Sequence, residues 1–321
     1  SADLTNVKKS KYVIICLGTP VNKKFNPILK NFVNFFYSLK KHLSKKHIVI
    51  IRSSIFPGIS DKVFNIIKSR CGNLSYCPER IAQGKSLKEL PKLSQIISGK
   101  NKKARLESGK IFKKISKKII YTRTAEAELI KLFSNAYRYI NFSISNQFYM
   151  MCKNSGLDFY KIREFMRDNY DRNINIAPAG FTAGPCLLKD TMQLSSFLKT
   201  KFHLGYSAMS INESIPIYLV KNLEKKYNLK NKTIGVMGMA FKADTDDIRD
   251  SLSLKLIKYL KKRKIKYLYS DPYYKDEKIT NEKILIKKSD FIIVTVPHKN
   301  YKKTKIPKNK KVIDIWNIIP K

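Results

Sequence analysis

The sequence predicts an α/β protein in which two parallel-sheet units flank an all-helical middle. Three patterns carry that reading. Short, fully apolar runs alternate with amphipathic helical stretches up to residue 68. A helical pattern then runs unbroken over residues 124–153. Strand–helix alternation returns from residue 232 onward. A strand that is apolar at every position is buried on both faces, as happens when helices cover both sides of a parallel sheet.

The first apolar run, residues 12–17, ends at Gly18-Thr19-Pro20, and a helical pattern follows over residues 28–43. Residues 47–51 form a second apolar run that ends at Arg52-Ser53-Ser54. Pro57-Gly58 then introduce a helix that reaches residue 68. Parallel sheets of this kind take ligands beyond the C-terminal ends of their strands, where Thr19 and Ser54 stand. The pattern over 124–153 is longer than an ordinary globular helix, and such helices join domains or form dimer cores. A shorter helix over 160–166, a loop carrying Cys186 and a helix over 205–227 complete the middle. Residues 233–237 form a strand before Gly238, residues 251–262 a helix, and residues 267–270 a strand before Asp271-Pro272. Further strands fall at 291–296 and 312–315. The resulting division is 1–122, 123–228 and 229–321. No period of 20–50 residues marks a repeat protein.

The formal charge is +41, from 65 Lys and Arg against 24 Asp and Glu. Most of the excess is Lys, scattered in pairs such as Lys8-Lys9, Lys117-Lys118 and Lys261-Lys262. It forms no single stripe with interleaved aromatics, so a solvated basic surface competes with a functional polyanion site. No specific nucleic acid and no membrane is expected as a partner, while anionic small substrates would be drawn in by such a field. The five cysteines are odd in number and no pair has metal-ligand spacing. That points to a reducing cytosol and to no metal site. No secretory signal and no apolar run of about 18 residues is present, so a soluble cytoplasmic protein is expected.

Two segments carry chemistry. The run from Gly180 to Asp190 sets Cys186 behind a Gly/Ala loop at the start of a helix, with Lys189 and Asp190 within one turn. A thiolate is favoured at a helix N-terminus by unpaired backbone N–H groups, and an acid/base group beside it is what covalent catalysis needs. A structural cysteine in a Gly-rich turn is the competing reading of this segment alone. Lys131 and Asn135 lie four apart on the long helix and share a face. An ammonium beside an amide can hold a developing alkoxide. An exposed Lys and a polar helix residue would have the same spacing.

Six spaced motifs, taken in order, resemble the UDP-glucose/GDP-mannose dehydrogenase family, the NAD-dependent nucleotide-sugar 6-dehydrogenases. They are Cys16-Leu17-Gly18-Thr19-Pro20, Ser53-Ser54-Ile55-Phe56-Pro57-Gly58, Cys77-Pro78-Glu79-Arg80-Ile81, Glu128 to Arg138, Gly180 to Asp190, and Gly238 to Ser251, with Asp271-Pro272 beyond. The resemblance implies two Rossmann-like parallel-sheet domains joined by a central helical region with a long helix. It implies NAD as cofactor, a nucleotide sugar as substrate and a homodimer through the long helix. Cys186 would attack a C6 aldehyde, pass through a thiohemiacetal and a thioester, and release a uronic acid. Lys131 and Asn135 would hold the oxyanion, Asp190 would assist proton transfer, and Glu79 would position substrate and aid hydrolysis. Thr19 and Ser54 would lie near the cofactor's ribose and nicotinamide, with Arg249 reaching toward its phosphates. Phe241 and Lys242 would flank the substrate's base, and Gly184, Lys189 and Arg172 would contact the substrate.

The sequence departs from the family in four places. Ala183-Gly184-Pro185 stands where many relatives have Gly-Gly before the cysteine, Gln83 where some carry a second Glu, and Ser54 where Thr is common. No Gly-x-Gly-x-x-Gly follows a first strand, and Gly235-x-x-Gly238 is only a partial pattern. The expectation is therefore a first domain that lacks its N-terminal glycine-rich segment, with the chain a fragment of the full enzyme. Under the alternative, it is a non-catalytic nucleotide-sugar-binding or dimerisation remnant. A polyanion-binding protein is the third reading.

Overall fold

The structure, a computed structural model, describes residues 3–19, 21–22, 28–81, 84, 86–182, 184, 186–197 and 202–320. Gln83, Ala183 and Pro185 lie outside them. The chain divides into two compact units. One comprises residues 1–136 and 189–202, the other 137–188 and 203–321.

In the first unit the elements run β1 (Tyr12–Ile15), α1 (Lys30–Lys40), β2 (Ile48–Ile51), α2 (Ile59–Ile67) and β3 (Leu74–Tyr76). They continue with α3 (Ser86–Glu89), β4 (Gln95–Ile97), α4 (Lys102–Lys113) and β5 (Ile119–Tyr121). The strands β1-β2-β3 form a parallel sheet, with Tyr12 opposite Ile48 and Val49 opposite Leu74. β4 and β5 pair in parallel beside it, and the Ser98 N–H donates to the Tyr76 carbonyl at 3.1 Å. Successive residues of β2 point to opposite faces. Val49 and Ile51 enter the core with Phe36, Val63 and Leu74, while Ile48 and Ile50 pack with Ile97 and Phe112. Both faces are therefore covered, as the apolar run required.

The long helix α5 spans Thr124–Asn154. α6 (Phe159–Arg167), α7 (Leu187–Phe197) and α8 (His203–Lys226) follow. Within the first unit, Leu132 and Ala136 of α5 pack with Leu194 of α7.

The second unit carries β6 (Thr233–Met237), α9 (Leu252–Lys262), β7 (Lys266–Ser270), α10 (Glu282–Lys288), β8 (Phe291–Val294) and β9 (Lys311–Asp314). Its sheet has the order β7-β6-β8-β9, parallel throughout. Ile234, Val236, Phe291 and Ile293 face Leu256 and Leu260 of α9, and Met237, Ile292 and Val294 face Leu285 of α10. The partial glycine pattern finds its explanation here. A Cβ on Gly235 would meet Leu285 and Ser289, so the residue lets α10 close on β6. Gly238 turns the chain out of the strand at φ +101°. Among the described residues no helix is long and apolar enough to cross a membrane.

Candidate active site

In the first unit the residues singled out from the sequence gather at strand ends and on two helices. Thr19 follows β1, and its hydroxyl donates to the Ser54 carbonyl beyond β2. Lys189 Nζ lies 3.2 Å from Thr19 Oγ1. Nearby on α7, Asp190 is wholly buried. Its Oδ2 accepts from Asn135 Nδ2 at 2.6 Å, and its Oδ1 faces the Lys189 ammonium at 3.4 Å. Lys131, one turn before Asn135 on α5, is only 9% exposed, and Asn135 only 7%. Burying such groups costs free energy unless they are hydrogen-bonded or paired, and Asn135 and Asp190 meet that need in each other.

Several supporting residues act on partners far off in the sequence. Glu128 accepts from the Gly58 and Ser60 N–H groups at 2.7 and 2.9 Å, which caps the first turn of α2. Arg52 is buried and donates to the Cys77 carbonyl, to Gln95 Oε1 and to Glu79. Its guanidinium also lies 4.5 Å from the Phe112 ring centroid. Glu79 is thereby fixed: one oxygen meets Arg52, and the other accepts from the Arg80 and Ile81 N–H groups. Burial, and then the negative charges of Glu128 and Asp190, push the Tyr76 hydroxyl well above its usual range. It stays protonated beneath the carboxylates.

In the second unit Cys186 is exposed and immediately precedes α7. The chain leading to it is tied down at several points. Ser145 Oγ and Arg163 hold the Ala177 carbonyl, and Tyr160 Oη bridges the Ala179 and Ile315 carbonyls. Gly184, at φ +102°, lies against the Phe241 ring where a Cβ could not fit. Phe241 belongs to the loop after β6, which Asp271 fastens through the Met239 and Ala240 N–H groups at 2.6 and 3.1 Å. His298 accepts from the Asp244 N–H through Nδ1, so its Nε2–H donates to Asp271 at 3.1 Å. Burial opposes ionisation of Asp271, but these hydrogen bonds outweigh it and hold the carboxyl at about 2.

Lys242, also on the loop after β6, is half-buried. Arg249 pairs with Asp247 at 2.6 Å. That pairing first, and the Cys186 sulfur among lesser contributors, raise the Arg249 guanidinium. Arg172 stands apart on an exposed turn, with its Nη1 3.3 Å from Tyr170 Oη.

The chain matches one family in three consecutive stretches: its NAD binding domain over residues 1–120, its central domain over 125–214 and its UDP binding domain over 235–321. This protein belongs to the UDP-glucose/GDP-mannose dehydrogenase family. A UDP-N-acetyl-D-mannosamine dehydrogenase of Pyrococcus horikoshii is 29% identical over 98% of this chain and 79% of its own length. A UDP-glucose 6-dehydrogenase of Rickettsia bellii is 26% identical over 79% of this chain and 61% of its own. The solved structure of the Pyrococcus horikoshii UDP-D-ManNAc dehydrogenase superposes with a TM-score of 0.89 at 29% identity, over 99% of this chain and 80% of that one. Membership indicates an NAD-dependent nucleotide-sugar dehydrogenase, an oxidoreductase with Rossmann-like domains. NAD is the cofactor of the matched first domain. The residues present fit it: Thr19 and Ser54 stand at adjacent strand ends, and the space that a Cβ on Gly18 would take is open.

Proposed function

We propose that this dehydrogenase oxidises a UDP-linked hexose or N-acetylhexosamine at C6 to the uronic acid, in two hydride transfers through a covalent bond to Cys186. The observation that carries the reading is the nearly buried trio of Lys131, Asn135 and Asp190, with Asn135 bonded to Asp190 at 2.6 Å. Thr19 and Ser54, beyond the ends of β1 and β2, would hold NAD, which when bound would supply the hydride acceptor for both oxidations.

The chain's own residues do the rest. Lys131 and Asn135 stabilise charge on the C6 oxygen as the alcohol proton leaves. The Cys186 sulfur adds to the aldehyde carbon to give a thiohemiacetal, and its oxidation leaves a thioester. Water adds to the thioester carbonyl and the thiol departs, with Asp190 moving the proton. One alcohol, two NAD⁺ and one water become one carboxylate, two NADH and three protons. Glu79, held by Arg52, positions the sugar. Phe241 and Lys242 flank the substrate's base, Gly184 and Lys189 contact the substrate, and Arg172 contacts the substrate of the neighbouring subunit. Arg249 serves the cofactor phosphates.

A homodimer through α5 belongs to the same reading. Tyr137, Ile144, Phe148 and Met151 are all exposed, and at helical spacing they fall within about 60° of one another. Incubation with NAD and either UDP-glucose or UDP-N-acetylmannosamine tests the function. Two NADH per uronate support it, and the absence of NADH with both sugars refutes it.

A further inference from the structure

Two asparagines outside the proposed chemistry hold the loop that leads to Cys186. Asn146 lies on α5 and Asn212 on α8, and neither shows any surface to solvent. Asn146 grips both backbone groups of Gly180. Its Oδ1 accepts from the Gly180 N–H at 2.8 Å, and its Nδ2 donates to the Gly180 carbonyl at 3.0 Å. The second Nδ2 proton goes to Asn212 Oδ1 at 2.8 Å. Asn212 Nδ2 donates in turn to the Tyr139 carbonyl at 3.2 Å. Each amide is thereby fixed in orientation, because flipping either one would set like poles against each other. The Trp316 indole packs against Gly180 and fills the space a Cβ there would need. Trp316 is itself held by its Nε1–H to the Thr295 carbonyl at 2.8 Å.

We propose that Asn146, oriented by Asn212, is a positioning residue for the Cys186 sulfur: it sets the register of the loop at Gly180, six residues upstream. The inference rests on the reading of Cys186 as the nucleophile. A buried polar pair of this kind is costly unless fully satisfied, and here every proton of the Asn146 amide points at the loop or at the amide that orients it. A packing role alone would be met by Leu or Met at both positions. A single-geometry grip on one glycine is what nucleophile placement calls for, since a misplacement of about 1 Å can cost about 100-fold in rate.

The test uses the intact protein with Asn146→Asp, Asn212→Leu and a core control, Leu256→Ala, which removes a buried side chain of the second unit. Asn146→Asp keeps the shape and the acceptor but cannot donate to Gly180 or Asn212. We expect kcat to fall about 100-fold with KM for the UDP-sugar within about threefold, whereas Leu256→Ala lowers the melting temperature and leaves kcat within about twofold. Asn212→Leu leaves Gly180 bonded to Asn146 and is expected to fall about 10-fold, and it carries the test if Asn146→Asp does not fold. The rate of Cys186 alkylation by iodoacetamide, read by mass spectrometry, separates the two ideas. If the unaltered protein oxidises no UDP-sugar, the catalytic reading fails, and an alkylation rate that still changes with Asn146→Asp supports positioning. Unchanged kcat in folded Asn146→Asp or Asn212→Leu, a kcat loss matched by Leu256→Ala, or an unchanged alkylation rate in an inactive enzyme overturns it.

Discussion

The Asn135 amide donates to the buried Asp190 carboxylate at 2.6 Å, joining α5 to α7 across 55 residues of sequence. Removing the amide leaves a buried carboxylate short of its donor. Asn135→Ala is therefore expected to destabilise the protein by about 1–3 kcal/mol, measurable by urea unfolding. Lys131→Ala bears on the chemistry one turn away. It should lower kcat far more than it weakens UDP binding, and equal losses in titration calorimetry and turnover would reduce Lys131 to a binding contact.

The loop after β6 depends on Asp271. Its folded value of about 2 lies below the ordinary 3.8. A depressed carboxyl contributes its full stability above the unfolded value and loses it as pH falls through the folded one. Between pH 4 and pH 2 the protein should thus lose about 2 kcal/mol that Asp271→Asn does not lose, because the variant has no proton to take up there. Matched urea titrations at pH 7, 4 and 2 would show whether the acid limb of the variant is flatter.

Cysteine environments differ sharply. Burial pushes the Cys77 thiol up to about 12 and also raises that of Cys71, whereas Cys16 and Cys186 are exposed. At pH 8 only roughly one Cys77 in 10⁴ is thiolate, so brief iodoacetamide treatment should label Cys186 and Cys16 and spare Cys77 and Cys71. Peptide mapping of the labelled protein reads the pattern directly.

How far these features could be read from sequence depends on residue type and on the distance between partners. The strand at Thr233–Met237 was legible to the residue because an apolar run between turn signals leaves little choice. The three-residue strands β3, β4 and β5 escaped notice. All three are too short to show a period, and β3 and β4 carry buried polar residues, with Ser75 paired to Ser108 and Gln95 to Arg52. Helix α4 is masked by its lysines, because its buried face is small: Ala104, Ser108, Gly109 and Phe112. Cys186, Lys131, Asn135 and Asp190 stood out because each sits in a short contiguous motif. Glu128, Arg52, Asn146 and Asn212 act on partners 70, 27, 34 and 66 residues away, and no local pattern encodes those pairings.

The apolar stripe on α5 makes its own prediction. If Tyr137, Ile144, Phe148 and Met151 are covered by a second copy, Phe148→Glu should convert a dimer to a monomer in sedimentation velocity, because a desolvated charge at such an interface costs several kcal/mol. A sedimentation coefficient identical to that of the unaltered protein would place the partner surface elsewhere.

The covalent role of Cys186 is tested most directly by Cys186→Ala in the intact protein, supplied with NAD and the UDP-sugar, with the uronate product quantified by mass spectrometry. The unaltered enzyme is expected to form uronate with two NADH for each sugar, and the variant to form none while still binding UDP. Uronate accumulating in the variant at the unaltered rate would contradict it.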